Sequence, residues 1–309
     1  MIGVITGFAV IAAIILVGWV IARIGLLGER ADQVLSRLSF FVLTPALLLT
    51  VLSQSEPKVL FSTLVPVSMI AAVSCFVIAS LVARLIWRRG VPETTIVALA
   101  SGYVNANNIG LPIALYVLGD AALAAPVILV NLTIFAPIAL AILDASTSGK
   151  TSWARIALQP VRNPILIASA LGLLIAALQV PVPEQVLEPF RLVGGAAVPV
   201  VLLLFGMSLH GARVLAPGSG RRDVLLATLL KSVLMPVIAW AVGSFVFALG
   251  PEALFAVVVL AALPAAQHVF AWAHRFDRHV AMARDAVLLS TLFALPALII
   301  IAAALSPDR

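Results

Sequence analysis

The sequence predicts an all-α integral membrane protein of ten transmembrane helices, arranged as an inverted 5+5 repeat in which helices 4 and 9 break and cross. Three observations carry this expectation: where charge is absent, where the basic residues fall, and where prolines recur. The 309 residues are 63% hydrophobic and only 10% charged, with a mean hydropathy of +1.19. An ordinary soluble domain carries about 25% charged residues. Charge-free runs cover 2–22, 38–55, 59–83, 94–119, 121–143, 163–183, 192–212, 253–274 and 286–307, and a tenth, 224–251, is interrupted only by Lys231. Roughly 20 apolar residues cross about 30 Å of hydrocarbon, so each run fits one span, the shortest extending into its flanks.

The net charge of +6 is distributed by topology. Three basic residues fall in each odd-numbered connection: Arg23, Arg30, Arg37; Arg84, Arg88, Arg89; Lys150, Arg155, Arg162; Arg213, Arg221, Arg222; Arg275, Arg278, Arg284. The even connections and the C-terminus hold Lys58, Arg191 and Arg309. Basic residues concentrate in cytoplasmic loops, so the odd connections are expected in the cytoplasm and both chain ends on the non-cytoplasmic side. The basic balance therefore does not call for a nucleic-acid partner; the lipid bilayer is the partner it implies.

Taken in order, helix 1 spans the first run. It has no basic segment before it and is too long for a signal core, so it is expected to stay as a span rather than be cleaved. Gly18, Ala22 and Gly25 along it, like Ala168, Gly172 and Ala176 in helix 6, are small residues at helical spacing that suit close helix packing, internal or at a dimer face. Helix 2 carries Pro45 and helix 7 carries Pro199, an offset of 154. Helix 3 holds the single cysteine, Cys75, which excludes an intramolecular disulfide and reads as a packing residue. Pro112 in helix 4 and Pro264 in helix 9 are 152 apart; Pro137 in helix 5 and Pro296 in helix 10 are 159 apart. With five spans on each side of the longest connection, the halves must be oppositely oriented. The expected units are a first repeat over 1–145, a cytoplasmic connection over 146–161 and a second, inverted repeat over 162–309. Inverted five-helix repeats are a transporter architecture, with the substrate bound near the bilayer midplane where the repeats meet.

Helix 4 contains S-G-Y-V-N-A-N-N-I-G-L-P, from Ser101 to Pro112, in the middle of a 26-residue charge-free run. Asn105, Asn107 and Asn108 are costly at that depth without partners, and Pro112 removes a helical hydrogen bond. Together with Gly110 they predict an unwound segment, which membranes tolerate only inside protein or along a wet cavity. Pro112 suits the first turn of a second half-helix. Helix 9 is the milder counterpart, with Pro264 near its centre and Gln267 and His268 just after; a lone proline there, taken by itself, favours a simple kink over a break. If both helices break, two half-helix N-termini converge, each with unpaired N–H groups and about half a positive charge. That is a place for a carboxylate, while the opposing carbonyl ends suit a cation. Lys231 is the charged residue deep in a span. It reads either as a counter-charge or stand-in for a coupling cation, or as a side chain snorkelling to the cytoplasmic interface. His268 reads as a proton carrier or as a neutral hydrogen-bonding group.

At these residues the chain resembles the auxin efflux carrier family in its short bacterial form. The resemblance rests on N-N-I-G-L-P from Asn107 to Pro112, L-G-D ending at Asp120, K-S-V-L-M-P from Lys231 to Pro236, A-L-P-A-A around Pro264 and L-L-S-T-L around Thr291. It implies the fold of sodium/proton antiporters and bile-acid symporters, with helices 1, 2, 6 and 7 as scaffold and helices 3–5 and 8–10 as a mobile transport domain. It also implies small organic acid substrates such as indole acetate, malonate or malate, and that two copies often pair through the scaffold. The long cytoplasmic loop of plant members is absent. A sodium/proton antiporter would be expected to place an aspartate pair at the break, yet 94–119 and 253–274 contain no Asp or Glu. The expected function is thus transport of small carboxylates by alternating access, as an efflux carrier or permease of the cell inner membrane. Asn105, Asn107, Asn108, Gly110, Pro112, Pro264, Gln267 and His268 would form the substrate site. No cofactor or metal is called for, and the coupling open to it is to H+ or Na+. The rival carrier is a sodium-coupled symporter of bile-acid type. An intramembrane enzyme is disfavoured: H-E-x-x-H, G-x-S-x-G and paired carboxylates within the spans are all missing. A non-transporting scaffold or receptor would not need the asparagine cluster.

Overall fold

The computed structural model describes residues 2–28, 30–54, 63–148, 163–210, 215 and 220–307. Beyond residue 148 the expected connection 146–161 lies outside them, as do Lys58, Lys150, Arg155, Arg162, Arg213 and Arg309. The regular structure of the described residues is helical: α1 Ile2–Ile24, α2 Ala31–Gln54, α3 Leu64–Ile86, α4 Val91–Gly102, α5 Leu111–Tyr116, α6 Ala121–Thr147, α7 Pro164–Ala177, α8 Glu184–Met207, α9 Arg221–Val246, α10 Pro251–Ala261, α11 Gln267–Phe276 and α12 Val280–Leu305. A π-turn, Ala106–Gly110, leads directly into α5.

Six of these helices, α2, α3, α6, α8, α9 and α12, are long and apolar enough to cross a bilayer, and shorter apolar helices occupy Ala9–Ile24, Pro164–Ala177 and Pro251–Ala261. Two of the four spans missing from ten, the fourth and the ninth, have one physical reason; the other two are the short apolar stretches Ala9–Ile24 and Pro164–Ala177. The fourth and ninth apolar runs are each cut into two pieces, α4 with α5 and α10 with α11, and each piece is shorter than a span.

The starts of the helices are written locally. Asn163 caps α7, its side chain accepting from the backbone N–H of Ile165 (3.0 Å) and Leu166 (3.4 Å), with Pro164 at the first position where no donor is needed. Prolines also open α4 and α10.

Small residues set the tightest helix contacts. A Cβ on Gly18 of α1 would meet the backbone carbonyl of Leu203 in α8, and one on Gly172 of α7 would meet the carbonyl of Leu49 in α2. Both contacts are therefore internal, and the two pairs are related by a single shift of 154 residues (18 to 172, 49 to 203). Gly25 is different: it has φ +68° with open space around it, so it ends α1 by a left-handed turn that favours glycine.

A second shift, of 160, relates the α3–α4 and α9–α10 hairpins. π-turns end the outer helices at Val82–Ile86 and Val242–Val246. Arg88 (φ 54°) and Ala248 (φ 48°) take the left-handed conformation. Arg89 then donates to the Ala83 carbonyl and Leu249 to that of Gly243, each at 2.9 Å. Gly90 and Gly250 precede the next helix with ψ of 166° and 164°. Around these hairpins α3, α4, α9, α10 and α12 pack against one another, while α1 packs on α8 and α2 on α7.

Candidate functional site

Both interrupted helices open fully, and they open onto each other. After Gly102 the chain leaves helical geometry at Tyr103 (φ −86°, ψ 101°). The second break runs from Ala262 to Ala266, so Pro264 marks a rupture rather than a kink. Val104 and Ala265 form an antiparallel bridge. On one side the N–H of Asn105 donates to the Pro264 carbonyl at 2.9 Å, and on the other that of Ala266 donates to the Tyr103 carbonyl at 2.9 Å. A broken helix leaves backbone groups that cost several kcal/mol each if buried unpaired in an apolar medium. The two breaks remove much of that cost by pairing with each other.

What the bridge leaves over is met by two further side chains. Asn131 of α6 donates from Nδ2 to the Val104 carbonyl at 2.9 Å. Ser290 of α12 accepts from the N–H of Ala265 at 3.1 Å. The Tyr103 hydroxyl donates back to the Asn131 carbonyl at 3.3 Å, and its ring stands edge-on to Trp272, 5.3 Å between centroids. Neither Asn131 nor Ser290 stands out in the sequence; their signal was a lone amide in one apolar run and a hydroxyl within L-L-S-T-L.

From the bridge, two helices begin. Asn105 starts the first: its Oδ1 accepts from the N–H of Asn108 at 3.2 Å, and its carbonyl accepts from Ile109 and Gly110. Asn107 donates from Nδ2 to Asn108 Oδ1 at 3.0 Å. Asn105 Nδ2 and Asn107 Oδ1 are buried with no hydrogen-bond partner among the described residues. Gly110 packs closely on Leu263: a Cβ there would come within 2.9 Å of that side chain's terminal Cδ1. Pro112 lies in the first turn of α5, as its missing donor favours. Gln267 begins α11, and the His268 ring lies 6.1 Å from that of Trp272.

A narrow cleft adjoins the crossing, and it brings together Asn105, Asn107 and His268 with Phe40 of α2 and Ile165 of α7. Asn108, Gly110, Pro112, Pro264 and Gln267 are not among its lining residues; they shape the helices that present it. Lys231 is elsewhere. It does not snorkel: its side chain is 0% exposed, and Nζ donates to the carbonyl of Ala261, the last residue of α10, at 2.7 Å. The packing of α9 against α3 and α10 encloses it before the side chain can reach an interface.

No curated protein matches the chain. A family model described as a membrane transport protein matches it twice, over residues 4–150 and 150–302. The family is one of transporters, not of enzymes, and its apolar helices make this a multi-pass membrane protein. With both halves matched, and with two broken helices meeting between them, the chain belongs to the membrane transport protein family, that of the auxin efflux carriers.

Proposed function

We propose that the chain is a secondary active or facilitative carrier of small organic anions, an efflux carrier or permease that works by alternating access. The observation that carries this reading is the crossing itself. Two helices begin there, beside a cleft lined by Asn105 and Asn107, whose buried Nδ2 donor and Oδ1 acceptor respectively have no partner among the described residues. Helix starts favour negative charge, and the amides of Asn105 and Asn107 can orient what the backbone binds. Apolar walls from Phe40 and Ile165 suit the organic remainder of a carboxylate.

The full architecture in this reading is ten spans in an inverted repeat. The shifts of 154 and 160 support it, as does the bridge, which is reproduced when Tyr103 is exchanged with Pro264 and Asn105 with Ala266. The helices α1, α2, α7 and α8 act as scaffold, and α3–α6 with α9–α12 as the moving body. The cleft lies where Phe40 and Ile165 of the former face Asn105 and His268 of the latter, so sliding would expose it to alternate sides. The protein resides in the cell inner membrane with both ends on the non-cytoplasmic side, and two copies pair through the scaffold.

A thermal-shift screen of detergent-purified protein against mono- and dicarboxylates tests this. A ligand at 100 times its dissociation constant adds about 2.7 kcal/mol to the folded state. One carboxylate should stabilise the protein and be taken up by proteoliposomes, and Asn107→Ala should lose both while still inserting. If no carboxylate shifts the melt or is transported, the organic-anion reading falls.

A further inference from the structure

Lys231 is among the largest fully buried side chains of the molecule, and no substrate-facing role uses it. It occupies a π-turn of α9, Leu230–Leu234, and its ammonium reaches across to α10. Its polar contacts are the Ala261 carbonyl at 2.7 Å and Met235 Sδ at 3.3 Å. The titratable group facing it is the Cys75 thiol, whose own donor points to the Leu230 carbonyl at 3.6 Å. Among the described residues its charge is not met by a carboxylate: the ion pairs are Arg89–Asp223, Arg191–Glu184, Arg191–Glu188, Arg278–Glu93 and Arg284–Asp285.

What balances the ammonium is the end of a helix. The last carbonyls of α10 have no intrahelical donor and carry about half a negative charge together. Ala262 turns back to the carbonyls of Val258 and Val259, and Lys231 takes Ala261. In carriers built on broken helices, such carbonyl ends are where a coupling cation is coordinated. Ala261 and Met235 line a small cavity behind the crossing together with Ser68, whose buried hydroxyl has no partner among the described residues.

We propose that the Lys231 ammonium is a built-in cation, seated at the carbonyl end of α10 where a separate sodium ion would otherwise bind, so that the carrier moves without sodium. This rests on the carrier reading above and removes sodium from the two coupling ions open to it.

The test uses the full-length purified protein and reads its melting temperature at constant ionic strength in sodium, choline or n-propylammonium chloride. Wild type should melt alike in sodium and choline; a shift selective for sodium would overturn the proposal. Lys231→Ala removes the charge and opens a space of matching shape. It should melt at least ~5 °C lower in choline and recover, saturably, in n-propylammonium. Lys231→Met keeps the bulk without the charge, and should stay low in all three salts. If Lys231→Met melts as wild type does, no cation is needed and the proposal is wrong. If neither n-propylammonium nor sodium repairs Lys231→Ala, the side chain is a packing element and the proposal is equally wrong. These readings need no transported substrate, so a failure of the organic-anion reading would show separately, in the carboxylate screen.

Discussion

At the scale of single residues, the site depends on satisfying backbone atoms that the breaks expose. Asn131 and Ser290 hold opposite members of the bridge, the Val104 carbonyl and the Ala265 amide. A buried group that loses its partner costs about 1–3 kcal/mol. Asn131→Leu and Ser290→Ala should therefore each destabilise the protein by about that amount in detergent unfolding. Groups sharing one network couple by about 0.5–3 kcal/mol, so the double variant should lose less than the two single losses combined. Strict additivity would show that the two side chains do not clamp a common element. The asparagine cluster of helix 4 was legible because three amides at bilayer depth demand partners. Asn131 and Ser290 were not, because one polar residue in an apolar run looks the same whether it meets a bridge or its own helix.

At the scale of elements, helix ends and helix contacts follow different rules. Ends are local, which is why Pro112 and Asn163 stand where helix starts want them. Contacts are not. The small residues of helices 1 and 6 suited either internal packing or a second copy, and only the approach of α8 to Gly18 and of α2 to Gly172 decides it. At both positions a Cβ would strike backbone rather than a side chain that can rotate away. Gly18→Ala and Gly172→Ala should each cost about 1–3 kcal/mol, measured as a lowered unfolding midpoint with unchanged membrane insertion. Wild-type midpoints for both would mean that these helices do not sit at carbonyl contact. Lys231 belongs to the same lesson: its distance along the helix allowed snorkelling, and the packing of α3 and α10 around it forbids that.

At the scale of the whole molecule, equivalent turns should face opposite sides of the membrane. Arg88 and Ala248 occupy corresponding left-handed positions in the two hairpins. In a Cys75→Ala background, Arg88→Cys should be labelled by an impermeant maleimide only from the cytoplasmic side and Ala248→Cys only from the other; labelling of both from one side would remove the inverted repeat. The sequence by itself determined the solvent, since repeated charge-free runs of about twenty residues match helices that cross a bilayer. It also determined where the fourth run cannot remain helical, because amides and proline act on their nearest neighbours. Tertiary structure alone decided that the ninth run breaks completely, and that the two breaks pair through Val104 and Ala265. It also decided that Lys231 ends on Ala261, that Asn107 and His268 share one cleft while Asn108 does not, and that Asn131 and Ser290 close the crossing. Each of those depends on groups more than twenty residues apart in the chain, whose meeting is set by which helices pack together rather than by any local spacing.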